Sequence, residues 1–335
     1  MPVVFRFGAD DLLRCRFAVS PLHETMGAVR ALRHPERLAY HLPWHRQVRA
    51  GLERLDLAPL LALVPPSGYS PDFLSPPPDG PFTRFDAELE RVRAAPPDRV
   101  GAEIARCLAE QSPPGPPVPA ALHAGPAAAR EMLADLLAHC WRMLVEPWWP
   151  RLRDLLEADI VFNARRFADG GFQAVLADLH PRVRWRDDAL HVAVAGDGER
   201  ELGGRGLILM PGAFVWPGVG VMLDPPWQPT LTYPVRGIAR LWQGPAAEGV
   251  ALARLLGRTR ATLLVALAEP ASTSGLAARC HLPVSTVSEQ LQVLRGAGLV
   301  AARRAGRQLL HEQTPLGIAL IGTAAGPGPA GRSGG

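Results

Sequence analysis

Residues 282–300 read "LPVSTVSEQLQVLRGAGLV", and this stretch decides how the C-terminal part of the chain folds. Val287, Leu291 and Leu294 recur at i, i+4 and i+7, the spacing of one apolar stripe on an α-helix. The other side carries short or hydrogen-bonding side chains, namely Ser285, Thr286, Ser288, Glu289 and Gln292. A helix exposed only to solvent usually carries more charge, with Glu and Arg four residues apart. The pattern therefore predicts a helix whose polar face contacts a partner.

The segments around this helix predict a compact motif. The expected elements are helices at 248–257, 259–268, 275–280 and 284–296, with strands at 299–303 and 308–312. Turns are expected at 270–274 and 281–283, and Gly298 suits the left-handed backbone that often ends a helix. The two strands can pair across "RAGR", with Arg303, Arg304 and Arg307 near the tip.

The stretch "SGLAARCHLPVSTVSEQLQVLRGAGLVAARRAGRQLLHE" resembles the winged helix-turn-helix of the ArsR/SmtB-type transcription regulators. The resemblance covers about 65 residues: a short leucine helix, a turn, a hydroxyl-rich recognition helix, "VLRGAGLV" and a basic wing. The remaining chain is similar to the uncharacterised N-terminal part of long regulators from GC-rich bacteria, through "YSPDFLSPPP", "LHPRVRW" and "AFVWPGVGVMLDPPWQPTLTYP".

The resemblance implies a protein that binds an operator in double-stranded DNA and regulates transcription, with repression as the expected sign. One recognition helix reads few base pairs, so a homodimer on a near-palindromic site is expected. Short polar side chains let the helix backbone approach the bases, and wing arginines can hold phosphate. The candidate DNA-binding residues are Ser285, Thr286, Ser288, Glu289, Gln290, Arg295, Arg303, Arg304 and Arg307.

Two positions depart from the family pattern. Pro283 stands where relatives often have a serine that caps the helix, and Glu289 stands where a polar or basic residue is common. A glutamate there could accept a hydrogen bond from cytosine N4, or it could simply repel phosphate.

The distribution of charge agrees with a DNA-binding C-terminal segment. The whole chain has a formal net charge of +4, and it contains no lysine, so its 36 basic residues are all arginine. Residues 251–312 hold eight arginines and three glutamates, whereas the remainder is nearly neutral. A positive field confined to one domain is typical of a domain that meets a polyanion.

The N-terminal sequence predicts an α+β domain. A strand is expected at 3–7 and helices at 20–32, 35–56, 84–95 and 97–110, then a long helical region at 127–179 interrupted at Pro147 and at Gly170 and Gly171. A hairpin around Asp187 and Asp188 and strands at 206–210, 214–223 and 230–235 predict a small antiparallel sheet. The expected domains are 1–245 for sensing or dimerisation, 246–325 for DNA binding, and a disordered tail at 326–335.

No metal, cofactor or catalytic site is expected. Ser272, Thr273 and Ser274 occupy the place where metal-sensing relatives carry cysteines, and Cys280 with His281 cannot complete a tetrahedral site. The glycine-containing turns match no phosphate-binding loop. Trp141, Trp148, Trp149, Trp185, Trp216, Trp227 and Trp242 lie outside the winged helix. They could line an apolar effector pocket, although core packing is the commoner role and the one favoured.

Four scattered cysteines and the lack of a long apolar run predict a cytoplasmic protein without disulfides or membrane contact. The expected function is therefore a non-enzymatic DNA-binding regulator with a possible small-molecule effector. Two alternatives differ in class: a ligand-binding or scaffold protein whose winged helix contacts protein, and an enzyme fused to a DNA-binding module. The second would require a catalytic cluster that the sequence does not display.

Overall fold

The computed structural model describes residues 2–8, 10–33, 38, 40–52, 55–65, 68–111, 118–177, 179–194, 198–238, 241–242, 252–267, 270–305, 308–314, 316–317 and 320, without the side chains of Arg303, Ala305 and Gln308. The chain divides into two compact units, Met1–Trp242 and Gln243–Gly335. The start of the helix expected at 248–257, the loop residues 306 and 307, and the tail expected at 326–335 lie outside the described residues.

The first half of the N-terminal unit is mainly helical. Its helices are α1 (Pro21–Arg33), α2 (Leu42–Leu52), α3 (Ala58–Ala62), α4 (Phe85–Arg93), α5 (Pro97–Glu110), α6 (Pro126–Cys140) and α7 (Trp149–Ala177). A π-helical turn, Trp141–Val145, and a 3-10 turn, Glu146–Trp148, join α6 to α7. The expected interruptions near Pro147 and at Gly170 and Gly171 are both present, and Gly171 has a φ of 68°. No described helix has the length and apolar character needed to cross a bilayer.

The helix expected at 35–56 is shorter than the pattern indicated. Within the described residues it begins at Leu42 and ends at Leu52. Pro43 occupies its first turn, where proline fixes a helical φ and lacks only an N–H that would have had no partner within the helix. Proline suits this position, because farther inside a helix it would remove a hydrogen bond from the ladder.

The strands form two sheets in this unit, not the one antiparallel sheet that the sequence predicted. The strands are β1 (Val3–Arg6), β2 (Arg16–Phe17), β3 (Val183–Arg186), β4 (Ala189–Val192), β5 (Gly198–Glu201), β6 (Ile208–Gly212), β7 (Gly220–Met222) and β8 (Thr230–Pro234). One sheet has the order β3-β4-β1-β5 and the other β2-β6-β8-β7. Both are mixed. In the first, β1 lies between β4 and β5, antiparallel to β4 and parallel to β5. In the second, β2, β6 and β8 are parallel, with β2 at one edge, and β7 is antiparallel to β8. Long-range pairing of this kind leaves no local sequence signal.

The strand expected at 214–223 is also reduced, to Gly220–Met222. Phe214 and Val215 are buried, but they precede a turn that contains a cis peptide bond between Trp216 and Pro217. The apolar run is therefore buried at its start and half-buried at Gly220–Met222, and it is not extended over its whole length.

Two hydrophobic cores hold the N-terminal unit together. The larger lies among the helices, and its biggest fully buried side chains include Trp44, Phe73 and Phe214. The smaller is shared by both sheets and the end of α7, with Phe5, Leu190 and Tyr233 fully buried.

A buried polar cluster joins α7 to the end of β8. The Asp159 carboxylate accepts hydrogen bonds from the Tyr233 hydroxyl at 2.9 Å, the Asn163 amide at 2.9 Å and the Arg236 guanidinium at 3.0 Å. Its side chain is 1% exposed, so these partners replace the water that the carboxylate would otherwise bind.

The described part of the C-terminal unit is built from helices that pack against a three-stranded sheet. The elements are α8 (Arg258–Ala266), β9 (Ala271–Ser272), α9 (Thr273–Cys280), α10 (Val284–Gly296), β10 (Val300–Ala305) and β11 (Gln308–Gln313), preceded by helical residues 252–256. The turn expected at 270–274 is instead a short strand followed at once by a helix. Ser272 makes this possible, because its hydroxyl accepts a hydrogen bond from the Gly275 N–H at 3.1 Å and caps α9. The chain as a whole has the α+β class that its sequence predicted.

Candidate nucleic-acid interface

A tight turn sets the position of α10 against α9. His281 ends α9 with a left-handed φ of 53°, and the Leu282 N–H donates to the Ala277 carbonyl at 3.0 Å. Pro283 follows with extended backbone, and the Val287 N–H donates to its carbonyl at 3.0 Å to begin α10. A turn of three residues thus joins α9 to α10, as in a helix-turn-helix motif.

The inner face of α10 is the predicted apolar stripe. Val287, Leu291 and Leu294 are at most 2% exposed, and they belong to one core with Leu264 of α8 and Leu276 of α9. This burial fixes the rotation of α10 about its own axis, so the residues on its opposite side are directed to solvent.

The outer face of α10 is polar and nearly free of charge. Ser285, Ser288, Glu289, Gln292 and Arg295 are exposed, whereas Thr286 and Gln290 are half-buried along one flank. Glu289 is the one carboxylate on the helix. The expected contact residues of α10 therefore all reach the surface, although Thr286 and Gln290 do so from its side.

Two exposed residues of the outer surface of α10, Gln292 and Val293, were not among the predicted contacts. Gln292 offers an amide that can pair with adenine, and Val293, 45% exposed, offers a methyl surface that suits the thymine methyl group. A helical wheel with Val287, Leu291 and Leu294 turned inward places both residues outward, so the signal was present in the sequence.

The N-terminus of α10 has no side-chain cap. Pro283 occupies the capping position, and no side chain that the structure describes accepts a hydrogen bond from the first turn. The first amides of an α-helix have no partner within the helix, and they carry the positive end of its dipole. The departure at Pro283 thus leaves the amides near Ser285 and Thr286 available to an anion such as a DNA phosphate.

The C-terminus of α10 leads directly into the wing. Gly298 has a φ of +71°, and the Leu299 N–H donates to the Leu294 carbonyl at 2.9 Å. Leu294 and Leu299 are both buried, which completes the apolar contact that accompanies this helix ending. The expected role of Gly298 matches its observed conformation.

The wing is the predicted hairpin with a third short strand. β10 and β11 pair from Val300 with Gln313 to Ala305 with Gln308, and β9 pairs with the other side of β11. Arg304 lies on β10 with an exposed side chain. Arg303 lies beside it in the strand, but its side chain, like the whole of Arg307, falls outside the described residues.

His311 connects the wing to the start of α9. Its side chain is buried, and its Nε2 lies 3.2 Å from the Thr273 hydroxyl oxygen. Burial lowers the pKa of His311, and the positive charge of Arg295 lowers it further. A neutral imidazole is therefore part of the folded wing, and protonation at low pH would destabilise it.

Ser272, one of the three residues at the place where metal-sensing relatives carry cysteines, has a structural role. The Ser272 hydroxyl is committed to capping α9. Among the residues that the structure describes, no group of three or more His, Cys, Asp or Glu side chains is placed to hold a metal ion.

The tryptophans of the N-terminal unit mostly pack against other rings. Trp44, Trp148 and Trp242 join His41 and Phe214 in one aromatic cluster, and the Trp242 indole N–H donates to His41 Nδ1 at 3.0 Å. Trp141 and Trp149 contact each other and line a shallow groove with Phe82 and Phe85.

Comparison with known proteins finds one family match within each unit of the chain. A family described as a helix-turn-helix domain matches residues 255–303, which include α8, α9, α10 and the first part of the wing. A family of unknown function (DUF5937) matches residues 109–239 of the N-terminal unit. No curated protein and no solved structure matches the chain.

The C-terminal unit is therefore a winged helix-turn-helix domain, a fold of DNA-binding transcription regulators. The chain has the layout of a long-form helix-turn-helix regulator, with a separate N-terminal domain of a family of unknown function. The resemblance seen in the sequence is confirmed at this level.

Proposed function

We propose that the protein is a sequence-specific transcription regulator of the ArsR type, and a repressor, that reads an operator through α10. The observation that carries the proposal is the outer face of α10, whose rotation is fixed by Val287, Leu291 and Leu294. That face presents hydroxyl and amide groups, which pair with base edges in a major groove wide enough to admit one helix.

In this proposal, contacts to phosphate and contacts to bases come from different parts of the domain. The uncapped N-terminus of α10 and its exposed Arg295 supply contacts to phosphate, and the polar face supplies contacts to bases. Arg304 on the wing, with Arg303 and Arg307 beside it in sequence, extends the positive surface beyond the recognition helix. Phosphate contacts of this kind position a protein on DNA but carry no sequence information.

A homodimer on a near-palindromic operator completes the proposal. A single α10 can read only a few base pairs, and two copies related by a two-fold axis would read two half-sites. In this proposal, residues 1–245 form a domain that provides dimerisation or senses an effector. Residues 246–325 form the domain that binds DNA.

Salt-dependent binding separates this function from that of a scaffold whose winged helix contacts protein. We expect replacement of Arg303, Arg304 and Arg307 by Ala to weaken binding to operator and random DNA alike. The slope of log K against log salt should flatten by roughly one unit for each arginine–phosphate interaction that the substitutions remove. Fluorescence anisotropy of the full chain on labelled duplexes from low to moderate salt measures that slope.

The matched control for the wing is Arg165→Ala, an exposed arginine on α7 of the N-terminal unit, which should leave the slope unchanged. A wing triple variant with the slope of the unaltered chain would remove the wing from the interface. Undetectable binding to any DNA at low salt would favour the scaffold function.

Substitutions on α10 should reduce the preference for the cognate site without reducing the affinity for random DNA. We expect Thr286→Ala, Gln290→Ala and Gln292→Ala each to cost about 1–3 kcal/mol on the cognate site and little on random DNA. The reason is that each removes a side-chain donor or acceptor from the outer face of α10 without changing its charge or its buried stripe. Binding curves on both duplexes measure the difference.

Thr262→Ala on α8 is the matched control, because Thr262 is an exposed threonine elsewhere in the same unit. It should bind both duplexes like the unaltered chain. An equal weakening on cognate and random DNA for the three α10 variants, with the fold intact, would mean that this face does not read sequence.

A further inference from the structure

A cleft of about 470 Å³ lies on the sheet β3-β4-β1-β5 of the N-terminal unit. The polar side chains that line it are Arg182, Arg184, Arg186 and His191, and prolines and small aliphatic side chains form the rest of its wall. We call these four residues the arginine cleft. Its volume is that of a small-molecule site.

The pleat of the sheet explains why these side chains converge. Arg184 and Arg186 are two residues apart on β3, so they project from the same face. Arg184 lies directly opposite His191 in the antiparallel pair β3–β4. Arg182 immediately precedes β3, and its carbonyl accepts a hydrogen bond from the Ala193 N–H at 2.8 Å, which fixes that end of the cleft. The side chains on the other face, such as Val183 and Leu190, fill the core.

The positive charge of the cleft is not neutralised by the protein residues that the structure describes. No carboxylate lines the cleft, and no ion pair is formed by Arg182, Arg184 or Arg186 within the described part of the chain. Arg184 makes one long hydrogen bond, 3.5 Å, to the Val183 carbonyl. On the same sheet, by contrast, Arg6 of β1 pairs with Glu199 of β5. The arginine cleft is therefore a concentrated positive region, whereas Arg6 on the same sheet has a carboxylate partner.

One histidine lies in the arginine cleft, and a second precedes the lining residue Pro181 in the sequence. The Nε2 atom of His191 is buried and has no hydrogen-bond partner among the residues that the structure describes, although buried polar atoms are ordinarily satisfied. Next to the cleft, burial lowers the pKa of His180, and the charge of Arg182 lowers it further. An oxygen-rich anion in the cleft would both accept from His191 and offset the arginine charges.

We infer that the arginine cleft binds a small phosphorylated ligand. Guanidinium forks match phosphate oxygens in paired hydrogen bonds, and a phosphate group offers three acceptor oxygens where a carboxylate offers two. Three arginines around one cavity therefore match the three oxygens of a phosphate group better than the two oxygens of a carboxylate. The concave shape, walled by Pro2 and Pro181, favours a compact ligand over the backbone of a DNA duplex. This site is separate from the proposed DNA-reading helix, so its failure would leave that function standing.

The experiment is isothermal titration calorimetry of the full chain with inorganic pyrophosphate as the probe. We expect one site per chain, and we expect Arg184→Ala and Arg186→Ala each to weaken binding by about tenfold or more. Arg200→Ala is the matched control, because Arg200 is an exposed arginine on β5, at the opposite edge of the same sheet. It should bind pyrophosphate like the unaltered chain. Circular dichroism melts of each variant verify that the fold is retained.

Three further arms fix the chemistry of the ligand. His191→Phe keeps a ring but removes the nitrogen donor, and it should weaken pyrophosphate binding several-fold. Citrate should bind more weakly than pyrophosphate, and a random 20-base-pair duplex should not displace pyrophosphate. The inference is overturned if pyrophosphate fails to bind at millimolar concentration, or if Arg200→Ala weakens binding as much as Arg184→Ala. It is also overturned if His191→Phe binds pyrophosphate normally. The same holds if citrate binds more tightly than pyrophosphate, or if the duplex displaces pyrophosphate.

Discussion

Replacement of Leu291 by alanine should destabilise the C-terminal unit by about 2–5 kcal/mol, the usual cost of truncating a buried leucine. Leu291 is 2% exposed at the middle of α10, and it belongs to the core that α8, α9 and α10 share. Removal of its side chain leaves a cavity among residues that cannot all close around it. The effect is therefore one of packing, and DNA affinity should fall only because the folded fraction falls.

Amide hydrogen exchange of residues 284–296 is the suitable measurement for this variant. All eight tryptophans lie in the N-terminal unit, so tryptophan fluorescence would not report directly on α10. Val293→Ala is the matched control, because Val293 lies on the same helix but is 45% exposed. It should change stability by no more than about 0.5 kcal/mol, as surface substitutions usually do. Equal acceleration of exchange in the two variants would show that the buried and exposed faces of α10 have been assigned wrongly.

Asp159→Ala should destabilise the N-terminal unit by about 3 kcal/mol or more, because it leaves buried polar partners without an acceptor. The Tyr233 hydroxyl is buried and donates to Asp159 at 2.9 Å, and the Asn163 amide donates at the same distance. Arg236 is half-exposed and can recover water, so most of the cost comes from Tyr233 and Asn163.

Denaturant unfolding followed by tryptophan fluorescence measures the effect of Asp159→Ala, since the tryptophans lie in this unit. Arg153→Ala is the control on the same helix, where an exposed pair with Glu157 at 2.5 Å is broken instead. An exposed pair of this spacing should contribute less than about 1 kcal/mol. If both variants unfolded at the same denaturant concentration, the Asp159 cluster would not be what joins α7 to β8.

The winged helix can be predicted from sequence because its determinants are local. The stripe Val287, Leu291 and Leu294, the glycine after α10 and the two short strands lie within 30 residues, and each prediction falls within two residues of the observed position. The cap of α9 by Ser272 is not predicted, because a turn and a capped helix start share the same residue types.

The N-terminal sheets can be predicted only in part. The hairpin of β3 and β4 has a local turn at Asp187 and Asp188, both with a φ of 53°, and its sequence signal is sufficient. The partners of β1 lie nearly 200 residues away in sequence, and hydrophobic alternation does not reveal which strands will pair. Arg184 and His191 face each other through this local hairpin, but Pro2, which also lines the arginine cleft, reaches it only through the long-range pairing of β1 with β4.

The sequence predicts where the candidate site lies better than it predicts which residues form the site. Ser285, Ser288 and Glu289 are exposed as expected, but Thr286 and Gln290 lie on the flank and Gln292 lies nearer the centre. Helical periodicity gives the face on which each residue lies, but the depth to which a flank residue is buried depends on the elements packed beside it.

The most direct test of sequence reading by α10 is a comparison of two affinities for the full chain at physiological salt. The first duplex is the site most enriched when the chain selects from random genomic fragments, and the second is a scrambled duplex of the same composition. A sequence-specific regulator should prefer the enriched site by a factor on the order of 10³ or more, and Gln292→Ala should reduce that factor while Thr262→Ala does not. Equal affinity for the two duplexes, with or without Gln292, would contradict the account.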